Sequence, residues 1–124
     1  MHRAIRTSGR VLLWLLTALE AFGLGAPGLA KLVGSGGWQR LFMGWGYPVW
    51  FSYVVGAVEV SGALGLLAPR LASYAAMLLG TVMVGALVTL LTHPGSMGWR
   101  TPAVHIVLLT ALAVARWKGR FRAT

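Results

Sequence analysis

Apolar residues run through this chain of 124 residues in long stretches, and most of its charges fall between them. Four such stretches stand out, at 11–30, 48–67, 71–91 and 101–115. The first holds one charged residue, Glu20, and the second holds one, Glu59. The third and fourth hold none, although His105 lies in the fourth. At 1.5 Å per residue the first three are long enough to cross a hydrocarbon layer of about 30 Å. The fourth is shorter and spans if Arg100 and Arg116 snorkel from its ends, with Trp99 and Trp117 at the interfaces. Backbone polar groups in lipid must pair within their own segment, so each span is expected to be a helix. No alternation of period two points to a barrel.

The pattern therefore predicts an all-α fold: an integral membrane four-helix bundle, antiparallel because its connections are short. Its spans are placed at 11–33, 48–67, 71–91 and 101–117, in a single membrane domain over residues 1–124. Between the first two spans, Trp38, Leu41, Phe42 and Trp45 recur at i, i+3, i+4 and i+7, one face of a short helix at 37–45. Glycines bound it on both sides, and Tyr47, Trp50 and Phe51 continue its aromatic character. Too short to span, it is expected to lie in the outer interface, as an anchor or as a lid over a ligand. Helix contacts in lipid need small residues. The second span offers Ala57, Ser61 and Gly65 with Gly56 and Gly62, and the third offers Ala72, Ala76 and Gly80 beside Thr81, Gly85 and Thr89.

Composition supports the same class. Hydrophobic residues make up 57 % of the chain and charged residues 10 %, against roughly 45–50 % and about 25 % in a soluble domain. Eleven Lys and Arg oppose two acids, for a net charge of +9. These cations punctuate apolar runs instead of gathering on one polar face, so no nucleic-acid partner is expected. Eight of the eleven, Arg3, Arg6, Arg10, Arg70, Arg116, Lys118, Arg120 and Arg122, fall on one side, and Lys31, Arg40 and Arg100 on the other. Both termini are thus expected in the cytoplasm and the protein in the cell (inner) membrane. The opening has the outline of a signal peptide, but a run this long with a Glu inside it is expected to remain as a span.

An ionisable group at membrane depth costs at least about 2.5–3.5 kcal/mol, so each one asks for a reason. Counted from their span ends, Glu20 and Glu59 lie roughly 14 Å and roughly 16 Å in, near the midplane of neighbouring helices. They are the only two acids in the chain. Two carboxyls close together in low dielectric cannot both ionise, so this pair is expected either to share a proton or hydrogen-bond a ligand oxygen, or to serve as protonated or paired helix glue, bonded to Ser61, Thr17 or a freed carbonyl, with no ligand. Gly56 and Gly62 flank Glu59 at i−3 and i+3, leaving close helix contact or a ligand slot. Glu20, Gly23, Pro27 and Lys31 share one face of the first helix, where Pro27 frees the Gly23 carbonyl. His105, about one turn below the outer surface, completes the set. The candidate ligand-binding residues are Glu20, Glu59, Lys31, His105, Gly56 and Gly62; no catalytic residue and no metal ligand is assigned.

Trp45-Gly46-Tyr47-Pro48-Val49-Trp50, then Val55-Gly56-Ala57-Val58-Glu59-Val60-Ser61-Gly62-Ala63-Leu64-Gly65-Leu66-Leu67, closed by Pro69-Arg70, resembles the DoxX-like family of small four-helix membrane proteins. Residues 72–86 and Gly28-Leu29-Ala30-Lys31-Leu32 continue the likeness, which covers roughly residues 12–115. The resemblance implies a four-helix fold and an association with membrane-bound redox systems, some relatives being the membrane subunit of a thiosulfate:quinone oxidoreductase. With no cysteine to hold a sulfur intermediate, the expectation narrows to a redox-associated subunit binding a quinone or other lipid-like ligand near Glu20 and Glu59. The expected partners are the lipid bilayer, such a ligand, and a membrane or soluble redox subunit or a second copy of the chain. Four helices with a Glu in the first also look like the small multidrug-resistance proteins, which implies a proton-coupled exporter of small cations. A third reading is a non-catalytic assembly partner docking through its small-residue stripes.

Overall fold

The computed structural model describes the backbone of residues 2–122 and the side chains of residues 7–119. Arg3, Arg6, Arg120 and Arg122, which enter the orientation argument, have side chains outside the described set. Among the described residues every regular element is an α-helix: α1 (His2–Val33), α2 (Trp38–Gly44), α3 (Val49–Leu66), α4 (Ala72–Thr92) and α5 (Arg100–Arg122). Three stretches are long and apolar enough to cross a membrane, Thr7–Val33, Val49–Leu66 and Ala72–Thr92. The fourth expected span lies within α5, which is helical well beyond its apolar run and, with Arg116 and Lys118 in its second half, falls short of the apolarity of the other three.

Glycine ends two of these helices by the same device. Gly34 takes φ of 78° after α1, with Ser35 N–H donating to Ala30 O at 2.8 Å and Gly34 N–H to Lys31 O at 3.3 Å. Gly46 takes φ of 89° after α2, with Tyr47 N–H donating to Phe42 O at 2.9 Å and Gly46 N–H to Met43 O at 3.0 Å. Both are Schellman closures, whose left-handed residue glycine adopts without steric cost. Pro48, extended at ψ of 153°, then starts α3. The short aromatic segment is thereby folded back between two long helices instead of lengthening either.

Packing joins α1 to α3, α3 to α4, α4 to α5 and α5 back to α1, while α2 rests on α3 and α1. Small residues make the close passages, as helices without a hydrophobic drive between them require. A methyl group on Gly25 would lie 3.1 Å from Ala63 Cβ, and one on Gly28 would lie 2.7 Å from Glu59 Cβ. On the other flank of α3, a methyl on Gly62 would meet Leu79 at 2.7 Å and one on Gly65 would meet Ala75 at 2.9 Å. Of the small residues expected at contacts, Ala72, Ala76, Gly56 and Gly62 are buried, but Ala57 and Ser61 are exposed and Gly80 has open space beside it.

The distribution of polarity is inverted relative to a soluble domain. Thr17, Glu20, Lys31, Ser52, Glu59, Ser73 and Thr89 are buried, whereas Phe22 is 79 % and Val107 68 % exposed. Exposed apolar surface on every long helix suits a lipid environment. Leu24, Leu66, Leu79, Leu109 and Leu112 fill the apolar core. At one end Tyr74 and Trp117 meet edge to face at 6.0 Å. Arg116, expected to snorkel, instead turns onto α1: its Nη2 donates to Thr17 Oγ1 at 3.2 Å and its guanidinium lies 4.6 Å from the Trp14 ring centre.

A cavity with two acid–base pairs

Each buried acid is held by a base, not by the other acid. Glu59 Oε1 accepts from Lys31 Nζ at 2.5 Å, across the α1–α3 contact. The glycine pair Gly28 and Gly56 allows the two helices to close: a methyl on Gly56 would lie 2.7 Å from both Gly28 O and Leu32 N. Trp38 of α2 lies over the ammonium, 4.2 Å from it to the ring centre. Gln39 Nε2 also donates to Lys31 O at 3.4 Å. Lys31 is consequently only 7 % exposed, and the short helix shields a cation that its sequence position assigned to the outer interface.

The second pair joins α1 to α5. Glu20 Oε2 lies 2.7 Å from His105 Nδ1, and Glu20 itself is completely buried. His105 Cε1 passes beside Gly23, where an added methyl would sit 3.5 Å away. The expectation of two carboxyls at one depth sharing a proton is therefore corrected. Glu59 is level with Gly28, eight residues beyond Glu20 and about 12 Å farther along α1. The depth count assumed spans of equal length starting at the two surfaces; α1 is longer than its first apolar run, so the same count from opposite ends reaches different levels.

Between the helices lies a cavity of about 570 Å³, within the ordinary range for small-molecule sites. Of the six candidate residues, Lys31, Glu59 and His105 line it. Glu20 stands behind His105 and does not line it, so it acts on the cavity through the imidazole. Gly56 and Gly62 do not line it either. Of the two alternatives for these glycines, close helix contact is what forms: Gly56 lies against the α1 backbone and Gly62 against Leu79.

The aromatic strap, α2 and the residues after it, supplies one wall of the cavity through Trp38, Phe42, Trp45, Tyr47 and Phe51. Phe42 packs among Trp45, Tyr47 and Phe51 at centroid distances of 5.3–6.0 Å. Two hydrogen bonds tie this wall to α4 and to the turn after it. Tyr47 OH lies 2.7 Å from Thr89 Oγ1, and Trp45 Nε1 donates to Ser96 Oγ at 3.1 Å. Thr89 donates its own proton to Gly85 O at 2.9 Å, so Tyr47 is the donor of the first. Tyr47→Phe is expected to lower stability by about 1 kcal/mol, the net worth of one neutral hydrogen bond, read as a drop in the melting temperature followed by circular dichroism. An unchanged melt would mean that the strap holds by aromatic packing alone.

The spacing of aromatic residues had marked the strap, but nothing in it pointed to Thr89, near the end of α4, or to Ser96, in the turn that follows. The pairing of Lys31 with Glu59 was equally hidden, because the two lie 28 residues apart on different helices.

No curated protein and no solved structure matches the chain. A model of the DoxX-like family matches residues 15–113, a stretch that includes both acid–base pairs, the strap and the cavity they enclose. The chain is a member of the DoxX-like family of membrane proteins.

Proposed function

We propose that this protein is a redox-associated membrane subunit that holds a quinone, or a lipid-like molecule of similar chemistry, in the cavity beneath the aromatic strap. In this reading α5 is a fourth span, and the four long helices form an antiparallel bundle in the inner membrane. Contacts along α1 and α3 support opposed directions, Gly25 meeting Ala63 while Leu32 meets Gly56. The excess of Lys and Arg on one side supports cytoplasmic termini.

The observation that carries the proposal is the character of the cavity. Its walls are mostly apolar, from Leu24, Pro27, Val55, Leu78, Val82 and Met83 among others, and the lysine, carboxyl and imidazole groups that line it are Lys31, Glu59 and His105. Lys31 and Glu59 neutralise each other, so the interior suits an uncharged ligand with a polar head and an apolar body. Lys31 and His105 would hold the head, and the strap would cover it. A quinone supplies two-electron chemistry when bound; the residues here supply orientation, exclusion of water and hydrogen bonds. The electrons would come from a partner redox protein, membrane-bound or soluble. A proton-coupled exporter would need a carboxylate free to take up a cation, and both acids are engaged by bases.

A decyl-substituted 1,4-benzoquinone added to the purified protein is expected to raise its melting temperature. Occupancy at a hundred times Kd stabilises the folded state by about 2.7 kcal/mol, several degrees for a domain of this size. Quenching of Trp38 and Trp45 fluorescence should follow the same saturation curve. No shift and no quenching at saturating probe would remove the proposal.

A further inference from the structure

His105 meets the cavity with one ring nitrogen already engaged. Nδ1 is held by Glu20 at 2.7 Å, and the two nitrogens of an imidazole lie on opposite edges of the ring. Nε2 therefore faces away from the acid, on a residue that lines the cavity, and it has no hydrogen-bond partner among the described residues. Whether Nε2 offers a proton or a lone pair depends on the protonation of the pair as a whole.

Four arrangements bear on it. A carboxylic acid donating to Nδ1 leaves the ring proton on Nε2. A carboxylate facing an imidazolium leaves protons on both nitrogens. The other two put the only ring proton on Nδ1 and turn a lone pair into the cavity: a carboxylate facing a neutral imidazole, which carries a net negative charge, and an acid with its proton on Oε1, where that hydroxyl would be buried with no acceptor among the described residues. Glu20 has no solvent contact, and an uncompensated charge in such a place is strongly disfavoured. The neighbouring cations do not supply compensation. Lys31 is committed to Glu59, and Arg116 donates to Thr17, one turn before Glu20, and not to the carboxyl. Glu20 Oε1 is buried without a partner among the described residues, whereas a buried carboxylate gathers donors on both oxygens.

We propose that the Glu20–His105 pair makes the cavity a hydrogen-bond donor site: Glu20 holds His105 with an N–H on Nε2, presented to the polar end of the bound molecule. The ligand class follows, and this part rests on the cavity being the binding site. The favoured molecule carries an exposed acceptor oxygen, as a quinone carbonyl does, and the corresponding hydroquinone, whose hydroxyls are stronger donors than acceptors, binds less well. Glu20 is here a positioning residue, acting through the imidazole.

The test has two arms. The first is the ¹⁵N spectrum of the histidine rings in the ligand-free protein at pH 7, with the His105 signals identified by their loss in His105→Gln. A proton bonded to Nε2 is expected; an unprotonated Nε2 with the proton on Nδ1 overturns the proposal. The second compares the decyl-benzoquinone with its hydroquinone by tryptophan quenching. The quinone is expected to bind about tenfold more tightly, one hydrogen bond's worth. His105→Phe should remove most of that preference. A preference for the hydroquinone overturns the donor assignment. If neither probe binds, the quinone reading fails, and the ring-nitrogen spectrum alone decides the state of the pair.

Discussion

Lys31→Met is expected to lower the stability of the folded protein by about 3–5 kcal/mol, the cost of leaving one member of a buried ion pair without its partner. Glu59 is 1 % exposed and Lys31 Nζ, at 2.5 Å, is its hydrogen-bond partner. Methionine matches the length of lysine, so little packing is lost, but the carboxyl must either stay charged in an apolar interior or take up a proton and forgo a charge-assisted hydrogen bond. The contact between the ammonium and Trp38 goes with it, loosening the strap. The double variant Lys31→Met, Glu59→Leu is expected to recover to within about 1 kcal/mol of the wild type, because replacing a whole buried pair by apolar groups is often neutral or better. Unfolding followed by circular dichroism in graded denaturing detergent measures both. Equal losses in the single and double variants would mean that the two side chains do not act as a unit. The double variant also separates architecture from ligand binding: it should fold and yet lose the shift produced by the benzoquinone.

Gly56→Ala is expected to cost about 2–3 kcal/mol, near the upper end of what overpacking causes. The added methyl would lie 2.7 Å from Gly28 O and Leu32 N and 2.8 Å from Lys31 Cβ. Two of these are backbone atoms of α1, so relief requires moving the helix and not a side chain. Separating α1 from α3 at this level also lengthens the Lys31–Glu59 bond, which couples the substitution to the ion pair. Gly80→Ala is the control. Among the described residues nothing lies within 4 Å of the position, and alanine is the better helix former by about 1 kcal/mol, so that variant should melt at or above the wild-type temperature. A loss at Gly56 no larger than at Gly80 would show that α1 and α3 are free to part.

The helices were legible from the chain because each is a local matter. Apolar runs longer than about 20 residues in lipid have no alternative to the helix, and glycines after Val33 and Trp45 stop two of them by local hydrogen bonds. The short aromatic helix was readable for a related reason: Trp38, Leu41, Phe42 and Trp45 repeat at helical spacing, and such a face must be covered. The family was readable from the Gly-Tyr-Pro segment and the Gly-x-x-Glu helix that follows it. In the site, Glu20, Glu59, Lys31 and His105 could be singled out because ionisable groups in apolar runs are costly.

Who pairs with whom could not be read in the same way. Lys31 and Glu59 are 28 residues apart and Glu20 and His105 are 85 apart. Those pairings depend on the vertical offset between helices, and the offset is a sum over contacts such as Gly28 on Glu59 and Gly62 on Leu79. A slip of one helical turn, about 5.4 Å, would exchange partners without changing any local pattern in the chain. Local backbone chemistry thus dictated the elements and the identity of the costly groups. Packing between distant small residues settled their depth, their partners, and the cavity that lies between them.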